Sequence, residues 1–192
     1  MENQQQSRRL RKKNNTHKAI LHSAKTLFEQ KGIDKTTIDE ISEHADVSRS
    51  TFFNHFGSVD ELLEEIASQE INDMLEAAVA SDKGFPLRSM LFRLVDDTFP
   101  YPYLTGELLM RGILSKKDNS FKEIDLYLQK SITERSGFKG LSEQFSPKEL
   151  SAILMGVYYG LIFQKFIYKE DFSSDFEIKE SINKFITFLK NY

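Results

Sequence analysis

The 192-residue chain contains no cysteine and no tryptophan. Without cysteine, disulfide scaffolds, thiolate zinc sites and thiol nucleophiles are excluded. Four prolines and nine glycines are too few for the dense turns of an all-β sandwich. Long apolar runs are missing as well. The longest uncharged stretch, Leu150 to Gln164, has 15 residues, against the roughly 20 that a membrane-spanning helix needs. Met1 to Thr16 is polar and basic with no apolar run behind it, unlike a secretory leader. The expectation is a cytoplasmic protein with no membrane partner. No phosphate-cradling loop, paired carboxylates or Ser/His/Asp order stands out, so an enzyme and a bound cofactor are not expected. His17, His22, His44 and His55 lack metal-ligand spacing, and no metal site is expected; the first three read as surface residues.

What the chain has is apolar bulk and uneven charge. Hydrophobic residues make up 40% and include 16 Phe and 7 Tyr, enough for a core of its own. The net charge of −3 hides a split. Residues 1–57 carry ten Lys/Arg against seven Asp/Glu, and the rest is net acidic. A basic head on an acidic body suggests an anionic partner for the head, although a solvated basic tail gives the same count.

The recurring pattern is a 3.6-residue apolar stripe. Ile20, Ala24, Leu27 and Phe28 line a first helix over about Thr16–Lys31, and Gly32 stops it. Thr37 followed by Glu40 has capping-box spacing and opens a second helix with Ile38, Ile41 and Ala45 inward. After Ala45-Asp46-Val47, Ser48 is suited to cap a short third helix with Phe52 and Phe56 inward. Ser58 and Glu61 repeat the box before a long fourth helix carrying Leu62, Leu63, Ile66, Met74 and Leu75. Further helices are predicted near 86–98, 103–116, 120–136, 147–169 and 175–190. Loop signals separate them at 82–84, Pro100/Pro102, Gly137–Gly140 and Ser173-Ser174. The fold class is all-α with about nine helices. It divides into a flexible basic arm at 1–15, a three-helix head at 16–60 and a helical body at 61–192.

Two short helices joined by three residues fit a helix-turn-helix. Ala45 allows close approach, while Ile41, Val47 and Phe52 clamp the pair. Ser48, Arg49, Ser50, Thr51, Asn54 and His55 then make up the outward face, where Arg suits guanine and Asn suits adenine. Any small helical hairpin shares part of this pattern.

The stretches Ile20–Gly32, Thr36–Phe56 and Ser58–Leu63, in order and without gaps, resemble the head of the tetracycline-repressor (TetR) family over about residues 16–66. The resemblance implies a homodimer that reads a palindromic double-stranded DNA operator and answers to a small effector. It implies Arg49 and Thr51 in the major groove, Asn54 and His55 near phosphates or outer bases, and Thr37 at a helix start facing phosphate. Phe53 stands where the family usually has a phosphate-binding Tyr, and Val59 where it usually has Lys. The arm residues Arg8, Arg9, Arg11, Lys12 and Lys13 are candidates to compensate.

The resemblance also implies a ligand cavity and a helix-pair dimer face in the body. Gly156 and Gly160, four apart in an apolar helix, would permit close approach, and Ile178, Ile182, Phe185, Ile186 and Leu189 stripe the last helix. An internal core buries the same stripes equally well. Met90, Phe99, Tyr103, Met110, Tyr127, Met155 and Tyr159 are the cavity candidates, suited to an apolar or aromatic effector. Glu107 and Arg111 are spaced to pair with each other. Two readings follow: a ligand-released repressor, or a module of the same fold with weakened operator binding.

Overall fold

A computed structural model describes residues 2–80, 86–114, 120–134 and 139–191, and their regular structure is all helical, with no strand among them. The helices are α1 (Glu2–Lys31), α2 (Ile38–His44), α3 (Arg49–Phe53), α4 (Val59–Ala80), α5 (Pro86–Thr98), α6 (Pro102–Leu114), α7 (Ser120–Glu134), α8 (Lys139–Ser142), α9 (Pro147–Tyr168) and α10 (Phe176–Asn191). A 3-10 turn at Ile33–Lys35 follows α1. Apart from α8, a single turn of four residues, this makes nine helices among the described residues, the number that the periodicity implies. The loop signals at 82–84 and at Gly137 lie outside the described residues, as do 135–136 at the expected end of α7.

Helix entries follow local chemistry. Thr37 Oγ1 accepts the Glu40 N–H at 3.3 Å while Glu40 Oε2 accepts the Thr37 N–H at 2.9 Å. Ser146 and Glu149 repeat this box before Pro147, with distances of 3.3 and 2.8 Å. At α4 only half of the expected box forms. Ser58 Oγ accepts the Glu61 N–H at 3.1 Å, but the Glu61 carboxylate reaches past Ser58 to the Gly57 N–H at 2.6 Å. The first helix is longer than its apolar stripe. Residues 2–31 contain neither glycine nor proline, so extending a nucleated helix backward meets no breaker, and the helix runs through the basic arm.

Two compact units emerge. The first combines residues 1–67 with 101–111 and the second combines 68–100 with 112–192. The head unit therefore includes most of α6, which a boundary at residue 60 assigns to the body. Its core joins Ile20, Ala24, Phe28, Ile33, Ile41, Phe52, Phe56, Leu62, Ile66 and Leu104, all buried. Glu29 fixes α6 there by accepting the Tyr103 and Leu104 N–H groups at 3.2 and 2.9 Å.

In the second unit α7 packs on α9, and α10 packs on α5 and α9. One core cluster centres on Met74, Met90, Leu128 and Leu154, and another on Leu91, Val95, Ile162, Ile182 and Ile186. Helix α9 has 22 residues and contains an 18-residue window with a mean hydropathy of 1.5, which is enough by length and composition to cross a bilayer. Uncharged-run length alone underestimates it, because the helix continues past Lys165. Leu150, Ser151, Leu154, Tyr158, Ile162 and Lys165 are buried along one side.

Candidate DNA-binding site

The α2–α3 unit rests on a bend without glycine. Asp46 adopts φ 54°, a left-handed conformation that Asp tolerates better than most residues. The Val47 N–H closes the bend on the Ser42 carbonyl at 2.9 Å, and Ala45 packs against the head core. Ser48 caps α3 by accepting the Thr51 N–H at 3.1 Å. Phe52 is fully buried beneath α3, and this fixes which residues face outward. Phe56 lies beyond the last residue of α3 yet is buried too, because its N–H still bonds the Phe52 carbonyl at 2.9 Å.

Ser48, Arg49, Ser50, Phe53 and Asn54 are exposed around α3, and Thr51 is half-buried. The Ser48 hydroxyl lies 2.8 Å from the hydroxyls of both Ser50 and Thr51, forming a compact polar cluster. Arg49 Nη1 donates to both carboxylate oxygens of Asp39 at 2.7 and 2.8 Å, and its guanidinium lies over the Phe53 ring at 5.7 Å. Thr37 is exposed, but its N–H and hydroxyl both serve Glu40. Glu40 also pairs with Lys31. These hydrogen bonds, led by the one from Lys31, hold the Glu40 carboxyl at about 2.

His55 differs from its α3 neighbours. It is half-buried, with Nδ1 at 3.3 Å from His17 Nδ1, while His17 Nε2 meets Glu65 Oε1 at 2.5 Å and the His17 ring stacks on Phe56. Burial, then the charges of His17 and Lys13, push the His55 pKa down, against an opposing pull from Glu65. The other histidines also have partners. His44 lies 3.0 Å from the Ser23 hydroxyl, and His22 lies 3.4 Å from the Tyr101 hydroxyl. The sequence carried no signal for these contacts, because their partners lie 21 or more residues away. Arg8, Arg9, Arg11, Lys12 and Lys13 are all exposed on α1. Val59 packs against the head core, which accounts for an apolar residue at that position.

The cavity candidates separate. Met90 is buried in the second unit, with Tyr127 and Met155 packed against its cluster; Phe99 and Tyr159 pack against the other cluster, with Met155 touching both. Burial raises the Tyr159 hydroxyl pKa. Tyr103 and Met110 are not brought to these five: both are exposed on α6, within the head unit. Glu107 and Arg111 do pair, at 3.6 Å, and also hold the 3-10 turn. Glu107 accepts the Ile33 N–H at 3.1 Å, and Arg111 bonds Asp34 at 2.5 Å.

Comparison with known proteins supports the reading of the head. Residues 20–66 match the family described as bacterial regulatory proteins, tetR family. The Tn10 TetC protein of Escherichia coli is 36% identical over 56 residues, covering 29% of this chain and 28% of that protein, so the match spans little more than a quarter of the relative's length. A transcriptional regulator from Aquifex aeolicus VF5 shares the fold with a TM-score of 0.69 at 21% identity, over 91% of this chain and 99% of its own. The fatty acid degradation regulator FadR from Bacillus halodurans does so with a TM-score of 0.70 at 11% identity, over 90% and 93%. Residues 20–66 thus match the head of the tetR family of bacterial regulatory proteins, and the chain shares its fold with solved regulators across nearly its whole length.

Proposed function

We propose that the protein is a cytoplasmic, homodimeric repressor that binds a palindromic operator and is released by a small apolar or aromatic effector, without catalytic activity. The observation that carries the DNA reading is the outer face of α3. Its hydroxyls, guanidinium and amide stand exposed directly above buried Phe52, with a basic helical arm in the same unit. Short donors and an Arg on a rigid short helix suit base edges, and the arm suits phosphates.

Dimerisation has its own support. Ile153, Gly156, Gly160, Phe163 and Ile167 are exposed at alternating spacings of three and four residues, which puts them on one face of α9 opposite its buried side. A Cβ added at Gly156 or Gly160 meets nothing within 4 Å, so the face is open to a second helix. The Met, Phe and Tyr residues of the second unit favour an apolar effector, in keeping with the fatty acid degradation role in the name of one fold neighbour. The effector releases DNA when it favours a spacing of the two heads that the operator does not.

The alternative, a module with weakened sequence-specific binding, draws on Phe53, which lacks a phosphate-binding hydroxyl, and on the engagement of Arg49 by Asp39. Selection from a random duplex library at physiological salt separates the two. Enrichment of an inverted repeat with half-sites about one helical turn apart, roughly 34–36 Å, supports the repressor. Salt-sensitive binding without enrichment, unchanged by added cell extract, supports the module.

A further inference from the structure

The Asp39–Arg49 pair crosses from α2 to α3, and its side chains are 67% and 59% exposed respectively. An ion pair so open to water contributes little stability, so its consequence is positional. Both hydrogen bonds leave from Nη1, so the pair leaves the Nε–Nη2 edge of the guanidinium unengaged by described residues. The Phe53 ring lies against the guanidinium, and Phe53 itself meets Phe52 edge-on at 5.6 Å. Since Phe52 is fully buried, the support runs from the core through Phe53 to Arg49.

Resting on the DNA-binding reading above, we propose that Asp39 and Phe53 are positioning residues that determine base specificity: they hold Arg49 so that its Nε–Nη2 edge reads a guanine. Guanine O6 and N7 accept two parallel N–H groups from an arginine fork. A fork held at Nη1 and supported on its face presents those donors in one orientation. A wrong base then leaves donors unpaired in a desolvated groove, and that penalty is the source of discrimination. An untethered arginine escapes it by swinging to a phosphate. The Asp39 carboxylate also opposes indiscriminate binding, since it adds negative charge beside the phosphate backbone.

Two effects of opposite sign follow for Asp39→Asn. Discrimination for guanine falls, while affinity for random duplex is unchanged or rises. A loss of folding would lower both together. Phe53→Leu removes the ring face and weakens the preference, whereas Phe53→Tyr keeps the face and retains it.

The test is library selection and titration of full-length dimeric protein with the wild type, Asp39→Asn, Arg49→Ala, Phe53→Leu and Phe53→Tyr, each checked by circular dichroism. The wild type is expected to enrich a guanine in each half-site that Arg49→Ala no longer selects. Asp39→Asn is expected to lose about tenfold of the preference at that base, within the range of a single bidentate contact, without losing random-duplex affinity. Retention of the full guanine preference in Asp39→Asn overturns the proposal, as does a parallel fall in both affinities. An enriched repeat with no guanine dependent on Arg49 overturns this inference and leaves the regulator standing. No enrichment by the wild type removes both.

Discussion

The carboxylate of Glu29, near the end of α1, accepts the N–H of Leu104 at 2.9 Å and that of Tyr103 at 3.2 Å. A side chain of the first helix thus satisfies two of the orphan donors in the first turn of α6, a helix begun some seventy residues later. Leu104 is buried in the head core beside this contact, so capping and apolar packing reinforce each other.

Replacing Glu29 should therefore loosen the start of α6 without touching α3. Glu29→Ala is expected to cost about 1–2 kcal/mol, as for the loss of a helix cap. It should also accelerate hydrogen exchange at the Tyr103 and Leu104 amides. Unchanged exchange at these two amides would show that the bonds are not maintained in solution.

Phe52 and Phe53 are neighbours with opposite expected phenotypes. Phe52 is fully buried, so Phe52→Ala should destabilise the head by about 3–5 kcal/mol and shift its denaturant midpoint strongly. Phe53 is 45% exposed, and Phe53→Ala should change stability by under about 1 kcal/mol. Its effect belongs in DNA selection. Equal denaturation midpoints for the two variants would contradict the placement of α3.

That contrast was legible in the sequence because helical period assigns Phe52 to the inner face. The reciprocal box at Thr37/Glu40 was legible because it is local, with its two members three residues apart. What sequence could not supply was contact between distant segments. Nothing near His17 announces His55 or Glu65, and nothing near Tyr103 separates it from the other aromatic candidates and assigns it to the head unit. The helix through the arm was not legible, because the arm lacks an apolar stripe. A stripe reports burial, whereas an exposed helix needs only residues that do not break it.

Burial of His55 beside His17 predicts a head that is sensitive to acid. Burial and the neighbouring charges of His17 and Lys13 hold the His55 pKa below 6.5, so the unfolded chain takes up a proton before the folded one does. The associated stability is fully present above about pH 6.5 and is lost as pH falls through the lower, folded value. Denaturant midpoints of the head should therefore drop as pH is lowered from 7.5 toward 5.5, and His55→Gln should flatten that slope. An identical slope in the variant would assign the acid sensitivity to other groups.

The two open glycines of α9 provide a test in which monomer and dimer change in opposite directions. Within one chain, a methyl group at Gly156 or Gly160 meets no atom within 4 Å. Alanine there adds no clash and improves helix propensity by about 1 kcal/mol per site. If a second copy packs its helix closely against this face, the same methyl groups push the helices apart and weaken association. A Gly156→Ala/Gly160→Ala double variant is therefore expected to be more stable as a dilute monomer and to dissociate at higher protein concentration than the wild type. Denaturation at low concentration and sedimentation equilibrium measure the two effects separately. Should stability and self-association both increase, these glycines are an exposed flank rather than the dimer seam, and the partner helix must be sought on another face.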